Sequence, residues 1–199
     1  MLRLVAITDD LRDGVEGLVA RAVAAERGGA TMVQLRLKHV DARTLAAVGA
    51  DLARSLSVPL IVNDRLDVAL ACGASGVHLG YDDLPVDAAR RLAPGGFIVG
   101  ASVGDENEIA NARDADYVGI GPVYPTTSKS DAGQSIGVAG FARLRELCGR
   151  PAVAIGGIAP SNAVEVMAAG AEGVAVIRAV FGPADPSRAA AALRSAIGR

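Results

Sequence analysis

Tryptophan is absent from this chain, tyrosine and phenylalanine occur three times each, and cysteine and histidine twice each. With so few aromatics, no basic stripe and a formal net charge of −2, the sequence offers no stacking platform or electrostatic footprint for nucleic acid. Cys72 and Cys148 have neither CxxC spacing nor a clustered histidine, which argues for reduced thiols buried in helices and against a metal site or disulfide. Long hydrophobic runs are also missing. Stretches such as Ala152 to Ile155 are far too short to cross a bilayer, so no membrane partner is expected. The N-terminal Met1-Leu2-Arg3-Leu4-Val5-Ala6 reads directly as a strand and not as a secretory signal, and the expected location is the cytoplasm.

Lysine is the most informative scarcity. Of 20 Lys and Arg residues only Lys38 and Lys129 are lysines, and each follows a short apolar run. Where exposed positive charge is otherwise written as Arg, a retained Lys points to a site that needs a compact, flexible ammonium, as phosphate binding can.

What is present is apolar and regular. The chain has 199 residues, 51% of them hydrophobic, and a mean hydropathy of +0.34, enough for a sizeable core in one domain spanning 1–199. Short β-branched runs at Leu2 to Ile7, Met32 to Leu35, Leu60 to Val62, Gly76 to Leu79, Phe97 to Val99, Tyr117 to Ile120, Ala152 to Ile155 and Gly173 to Ile177 read as strands. Between them, Val15 to Arg27, Ala42 to Leu56, Leu66 to Ala71, Val86 to Leu92, Glu106 to Arg113, Val138 to Cys148, Asn162 to Ala169 and Pro186 to Ile197 carry helical spacing. Strict alternation of eight strands and eight helices, with strands buried on both faces, predicts a single compact (β/α)8 TIM barrel, an α/β fold. A doubly wound open sheet would more often carry GxGxxG after its first strand, where Thr8-Asp9-Asp10 stands. A weak echo, Gly29-Ala30-Thr31-Met32-Val33, Gly73-Ala74-Ser75-Gly76-Val77, Asp114-Ala115-Asp116-Tyr117-Val118 and Gly170-Ala171-Glu172-Gly173-Val174, repeats at two-strand intervals, as βαβα quarters would. The surplus length lies in Gly121 to Gly137, the long loop after the sixth strand, which is expected to bind or cover substrate.

In such a barrel the active site lies at the C-terminal strand ends. Gln34, Arg36 and Lys38 alternate along one extended segment, so all three face one way while Leu35 and Leu37 face the other. That face is an anion receptor. Asp64 and Asp83 follow adjacent strands; each could cap a helix, or the two could share Mg²⁺ with waters and phosphate oxygens. Gly156-Gly157 and the strand end at Arg178 occupy positions where backbone N–H groups build phosphate sites in these barrels. The pattern suggests two anionic groups, one met by cations and metal, the other by backbone after strands seven and eight.

Several segments carry a family likeness: Gln34-Leu35-Arg36-x-Lys38, Val62-Asn63-Asp64, His78-Leu79-Gly80-x-x-Asp83-Leu84, Gly119-Ile120-Gly121-Pro122-Val123-Tyr124-Pro125-Thr126-x-Ser128-Lys129, Ile155-Gly156-Gly157-Ile158 and Gly173-Val174-Ala175-Val176-Ile177. Over about Ile7 to Phe181 the chain resembles the thiamine-phosphate synthases. The resemblance implies a transferase of thiamine biosynthesis that joins an aminopyrimidine methyl pyrophosphate to a thiazole phosphate and releases pyrophosphate, with Mg²⁺ as cofactor. It implies that Gln34, Arg36, Lys38, Asn63, Ser102 and Lys129 hold the pyrimidine pyrophosphate, with Arg36, Lys38 and Lys129 acting on the leaving group. Asp64 and Asp83 would bind Mg²⁺, and Thr126, Thr127, Ser128, Gly157, Ile177 and Arg178 would line the thiazole phosphate site. Small-molecule substrates are the partners implied, and both monomeric and homo-oligomeric states are compatible with the pattern. Three positions depart from the family: Tyr81 stands for a Gln, Arg178 for a Ser, and Gly104 for a His in a Ser-x-His stretch. The missing His weighs against a similar thiazole tautomerase, which relies on it for proton transfer. A non-catalytic paralogue that binds thiamine-type phosphates is the alternative from a different class.

Overall fold

The computed structural model describes residues 2–126 and 134–198. Eight parallel strands close on themselves in sequence order: β1 (Leu4–Ile7), β2 (Met32–Leu35), β3 (Leu60–Asn63), β4 (Gly76–Leu79), β5 (Ile98–Val103), β6 (Tyr117–Ile120), β7 (Ala152–Ile155) and β8 (Gly173–Val176). Closure is made by β8 on β1, with Leu4 opposite Val174 and Ala6 opposite Val176. This is the (β/α)8 barrel that the alternation predicts.

The period of two divides the strand side chains into two cores. Leu4, Ala6, Val33, Leu35, Val62, Val77 and Leu79 belong to the outer core under the helices. Val5, Ile7, Met32, Ile61, Tyr117, Val153 and Ala175 fill the barrel itself. The helices α1 (Gly14–Arg27), α2 (Ala42–Ser55), α3 (Leu66–Ala71), α4 (Val86–Leu92), α5 (Gly137–Cys148), α6 (Ala163–Ala168), α7 (Arg178–Phe181) and α8 (Pro186–Ala196) wrap the outside. In α2 the buried Leu45, Val48, Gly49 and Leu52 recur at helical spacing, and Asp41 caps its start by accepting the Thr44 N–H at 3.0 Å. Each such fully buried aliphatic contributes about 1.5–3 kcal/mol. At the seam, the Arg3 guanidinium donates to Ile197 O at 2.8 Å and so holds the two ends of the chain together.

Two expectations are corrected and one element is added. Glu106 to Arg113 is not an α-helix: only a 3-10 turn over Glu106–Glu108 forms, followed by turns. Polar side chains take the backbone donors there, Asp105 accepting from Asn107 N and Glu108 from Gly104 N, which competes with helix propagation. Secondly, β5 runs to Val103, so Gly100, Ala101 and Ser102 lie within the strand and not beyond it. Thirdly, the four-residue α7 is too short for periodicity to reveal. Cys72 is buried just past α3, whereas Cys148, the last residue of α5, is only half-buried. Among the described residues no helix is long and apolar enough to cross a membrane.

Candidate active site

The C-terminal strand ends open into a cavity of about 1220 Å³. Arg36 and Lys38 enter it from beyond β2, Asn63 and Asp64 from β3, Asp83 from the turn after β4, and Ser102 from β5. Thr126, Gly157, Ile177 and Arg178 line the opposite side. Gln34 lies one layer lower, buried inside the barrel, where its amide donates to Asn63 Oδ1 at 2.8 Å. It reaches the cavity through Asn63. Thr127, Ser128 and Lys129 lie outside the described residues.

Local backbone geometry aims the acidic pair. Asp64 sits at φ 64°, in the left-handed region, within a tight turn in which Arg65 N–H donates to Asn63 O at 2.8 Å. Its own N–H donates to His78 O at 2.8 Å, extending the β3–β4 ladder by one rung. Asp83 lies in the next turn, and its Oδ2 accepts the Gly80 N–H at 2.7 Å. Neither aspartate caps a helix; Arg65 and Pro85 occupy the N-cap positions of α3 and α4. The two carboxylates are within hydrogen-bonding reach of each other, and burial first, then the Asp83 charge, pushes Asp64 up to about 6. Lys38 and Arg36 pull the other way without cancelling this, Lys38 Nζ standing 3.9 Å from Asp64 Oδ2.

Two hard carboxylates held together and facing an anion-binding wall suit Mg²⁺, which takes one or two carboxylates and fills its remaining positions with waters and phosphate oxygens. A site built wholly from protein ligands is a poorer match, since no group of three or more His, Cys, Asp or Glu arranged for a metal occurs among the described residues.

The opposite side is made of backbone. Gly156 and Gly157 have φ 95° and 65°, and a Cβ on Gly157 would stand 2.7 Å from Tyr124 Cβ. Val123 N–H donates to Ile155 O at 2.8 Å and Tyr124 N–H to Gly156 O at 3.0 Å, so the segment leaving β6 is laid along the end of β7. Gly137 N–H returns to Val123 O at 3.0 Å, anchoring the far end of the same loop. Arg178, at the start of α7, is exposed at the cavity wall. Tyr81 is 54% exposed at the mouth. At Gly104 a Cβ would come no nearer than 3.5 Å to any atom, so the site leaves steric room for a side chain it does not carry.

The pattern of the sequence does not mark Tyr117 or Glu108 as site residues, and it marks Thr8 and His78 only by their place at strand ends, without a role. In the barrel, His78 Nδ1 lies 3.0 Å from the Tyr117 hydroxyl and Nε2 lies 3.1 Å from Ser102 Oγ. Burial raises the Tyr117 pKa, so its hydroxyl remains protonated. The chain thus fixes Ser102 from below. The available signal was a polar residue at an inward strand position, where apolar filling is the norm. Glu108 joins the cavity wall by accepting the Gly104 N–H at 2.6 Å.

A closed barrel whose strand ends set cations and carboxylates opposite a glycine-built backbone wall defines an enzyme class, the (β/α)8 enzymes acting on phosphorylated small molecules. Comparison with known proteins narrows this. Residues 4–180 match the family model described as thiamine monophosphate synthase. The thiamine-phosphate synthase of Methanoregula boonei is 46% identical over 201 residues, covering 98% of this chain and 93% of that one. That of Methanoculleus marisnigri is 50% identical over 184 residues, covering 90% and 86%. A solved thiamine phosphate pyrophosphorylase from Pyrococcus furiosus superposes with a TM-score of 0.86 at 39% identity, covering 98% of this chain and 95% of that one. A 3-hexulose-6-phosphate synthase, at TM-score 0.75 and 20% identity, shares the fold. The chain belongs to the thiamine monophosphate synthase family, and it is a transferase of thiamine biosynthesis.

Proposed function

We propose that this enzyme joins 4-amino-2-methyl-5-(diphosphooxymethyl)pyrimidine to a thiazole phosphate by a dissociative substitution, giving thiamine phosphate and pyrophosphate. The observation that carries the reading is the juxtaposition of Arg36, Lys38, Asn63 and the paired Asp64 and Asp83 on one wall of the cavity. The C–O bond to pyrophosphate breaks with the electron pair going to the leaving group, and the electron-rich aminopyrimidine carries the positive methylene that remains. The protein then has to neutralise a leaving anion; it needs no strong base. Arg36 and Lys38 supply fixed positive charge at that anion, and Lys129 is assigned the same neutralising role. Gln34 orients Asn63, which together with Ser102 holds the pyrimidine pyrophosphate. Asp64 and Asp83 would hold Mg²⁺, which when bound supplies further charge neutralisation to the pyrophosphate oxygens. Across the cavity, Thr126, Gly157, Ile177 and Arg178 hold the thiazole phosphate, a role shared by Thr127 and Ser128, so the thiazole nitrogen lies beside the methylene. Proximity then accounts for much of the remaining acceleration.

Retention of the whole leaving-group wall favours synthesis over a tautomerase, which has no pyrophosphate to neutralise. We place the enzyme in the cytoplasm, acting on small molecules as one barrel domain over 1–199. Incubation with both substrates and Mg²⁺ tests the reading: stoichiometric thiamine phosphate and pyrophosphate are expected. Folded protein that forms neither product, or binds thiamine phosphate without turnover, would overturn it.

A further inference from the structure

Thr8 is completely buried just past the end of β1, although it carries a hydroxyl. Its N–H donates to Gln34 O at 2.9 Å, which is the last regular rung between β1 and β2. In a parallel ladder the next rung would run from Arg36 N–H to the Thr8 carbonyl. Here Arg36 N–H donates to Thr8 Oγ1 at 2.8 Å, and the same hydroxyl lies 3.2 Å from Arg36 O, to which it donates. The side chain has taken the place of the main chain. The β1 backbone is therefore free to turn off into Asp9 and Asp10 while the extension of β2 stays pinned for one more residue, and that residue is Arg36.

We infer that Thr8 is a positioning residue for the leaving-group wall: its hydroxyl fixes the Arg36 backbone, and through it the direction in which the guanidinium enters the cavity. Thr8 does not line the cavity, so it acts only through Arg36. Both main-chain polar atoms of the half-buried Arg36 are held by a single buried hydroxyl, so an apolar replacement removes both of these hydrogen bonds at once and releases the segment. Displacement of a charge-neutralising group by even an ångström lowers rate substantially. The inference rests on the role assigned above to Arg36.

The test compares Thr8→Val, Thr8→Ser, Arg36→Ala and the Thr8→Val/Arg36→Ala double variant, with kcat, KM for each substrate and melting temperature measured for all. Thr8→Val is expected to lower kcat/KM for the pyrimidine pyrophosphate by about tenfold or more while KM for the thiazole phosphate, bound on the opposite wall, changes less than about twofold. Thr8→Ser keeps the hydroxyl and is expected to stay within about threefold of the parent. In the Arg36→Ala background the additional loss from Thr8→Val is expected to fall below about twofold, since coupled residues are not additive. Full multiplicative loss in the double variant, or equal loss towards both substrates, would mean a merely structural Thr8 and overturn the inference. Parent-like activity of Arg36→Ala would instead remove the role of Arg36, and the inference with it. If Thr8→Val does not fold, Thr8→Ala makes the same comparison.

Discussion

Asp64 holds a left-handed backbone conformation that L-residues other than Asn and Asp seldom adopt, and it does so to face a second carboxylate. The folded protein thus disfavours its ionised form. With its pKa raised to about 6, from an ordinary value near 4, the group's contribution to stability is fully present below the ordinary value and is lost as pH rises through about 6. Asp64→Asn removes that penalty. In metal-free buffer the variant is expected to melt above the parent at pH 7, with the difference vanishing towards pH 4, as thermal denaturation across that range would record. Turnover with both substrates and Mg²⁺ should fall strongly in the same variant; a parent-like rate would remove Asp64 from the metal site. The lysines belong at this scale too. Lys38 stands beside Asp64 as a compact charge, and its scarcity in an Arg-rich chain was the first sign of the site. Lys129 is expected to need the same ammonium: Lys129→Ala should lower kcat strongly and Lys129→Arg recover little of it, measured as steady-state pyrophosphate release.

Secondary elements were legible in the sequence wherever apolar periodicity carried the signal. β2, β4, β6 and β7 have the bounds that their apolar runs predict, because strands buried on both faces need uninterrupted hydrophobic residues. The apolar run of β5 ends at Val99, yet the strand continues to Val103, for a reason found only in three dimensions. Gly100 and Ser102 are poor strand formers, yet a Cβ on Gly100 would lie 2.4 Å from the Tyr117 ring and 2.6 Å from His78 Nδ1, so the inward position requires glycine. The candidate site was legible at strand exits, where charge interrupts apolar runs. Thr8, Tyr117 and the relay through His78 were not, since their roles depend on hydrogen bonds between strands distant in sequence. The exit of β7 carries its own prediction. Gly157→Ala would place a Cβ 2.7 Å from Tyr124 Cβ and 2.8 Å from Pro125 O, at a φ that costs an L-residue about 1–2 kcal/mol. The loop after β6 must then shift from the end of β7. KM for the thiazole phosphate is expected to rise about tenfold, with KM for the pyrimidine pyrophosphate little changed, since a displacement costing about 1.4 kcal/mol of binding is a factor of ten.

At the scale of the whole molecule, the site exists because the barrel closes. Arg36 and Lys38 follow β2 and Asp64 follows β3, while Ile177 and Arg178 follow β8, and only the β8–β1 seam brings these two ends of the chain around one cavity. The seam has little tolerance. Val174 N–H donates to Arg3 O at 3.1 Å, and a Cβ on the neighbouring Gly173 would lie 1.9 Å from Leu2 O and 2.4 Å from Arg3 O. Both obstructing atoms are backbone, so no side-chain rotation can relieve the overlap. Gly173→Ala therefore forces β1 and β8 apart at their N-terminal ends and is expected to cost about 3 kcal/mol, the upper end of ordinary overpacking. For a domain of this size that corresponds to a fall in melting temperature on the order of 10 °C. Because the two walls of the cavity are joined through this seam, the same variant assayed well below its melting point should raise KM for both substrates together, unlike Gly157→Ala, which acts on one wall alone. Amide exchange would locate the effect: loss of protection in β1 and β8 with β4 and β5 unaffected is expected, whereas uniform loss around the barrel would show that closure and strand formation are one cooperative event.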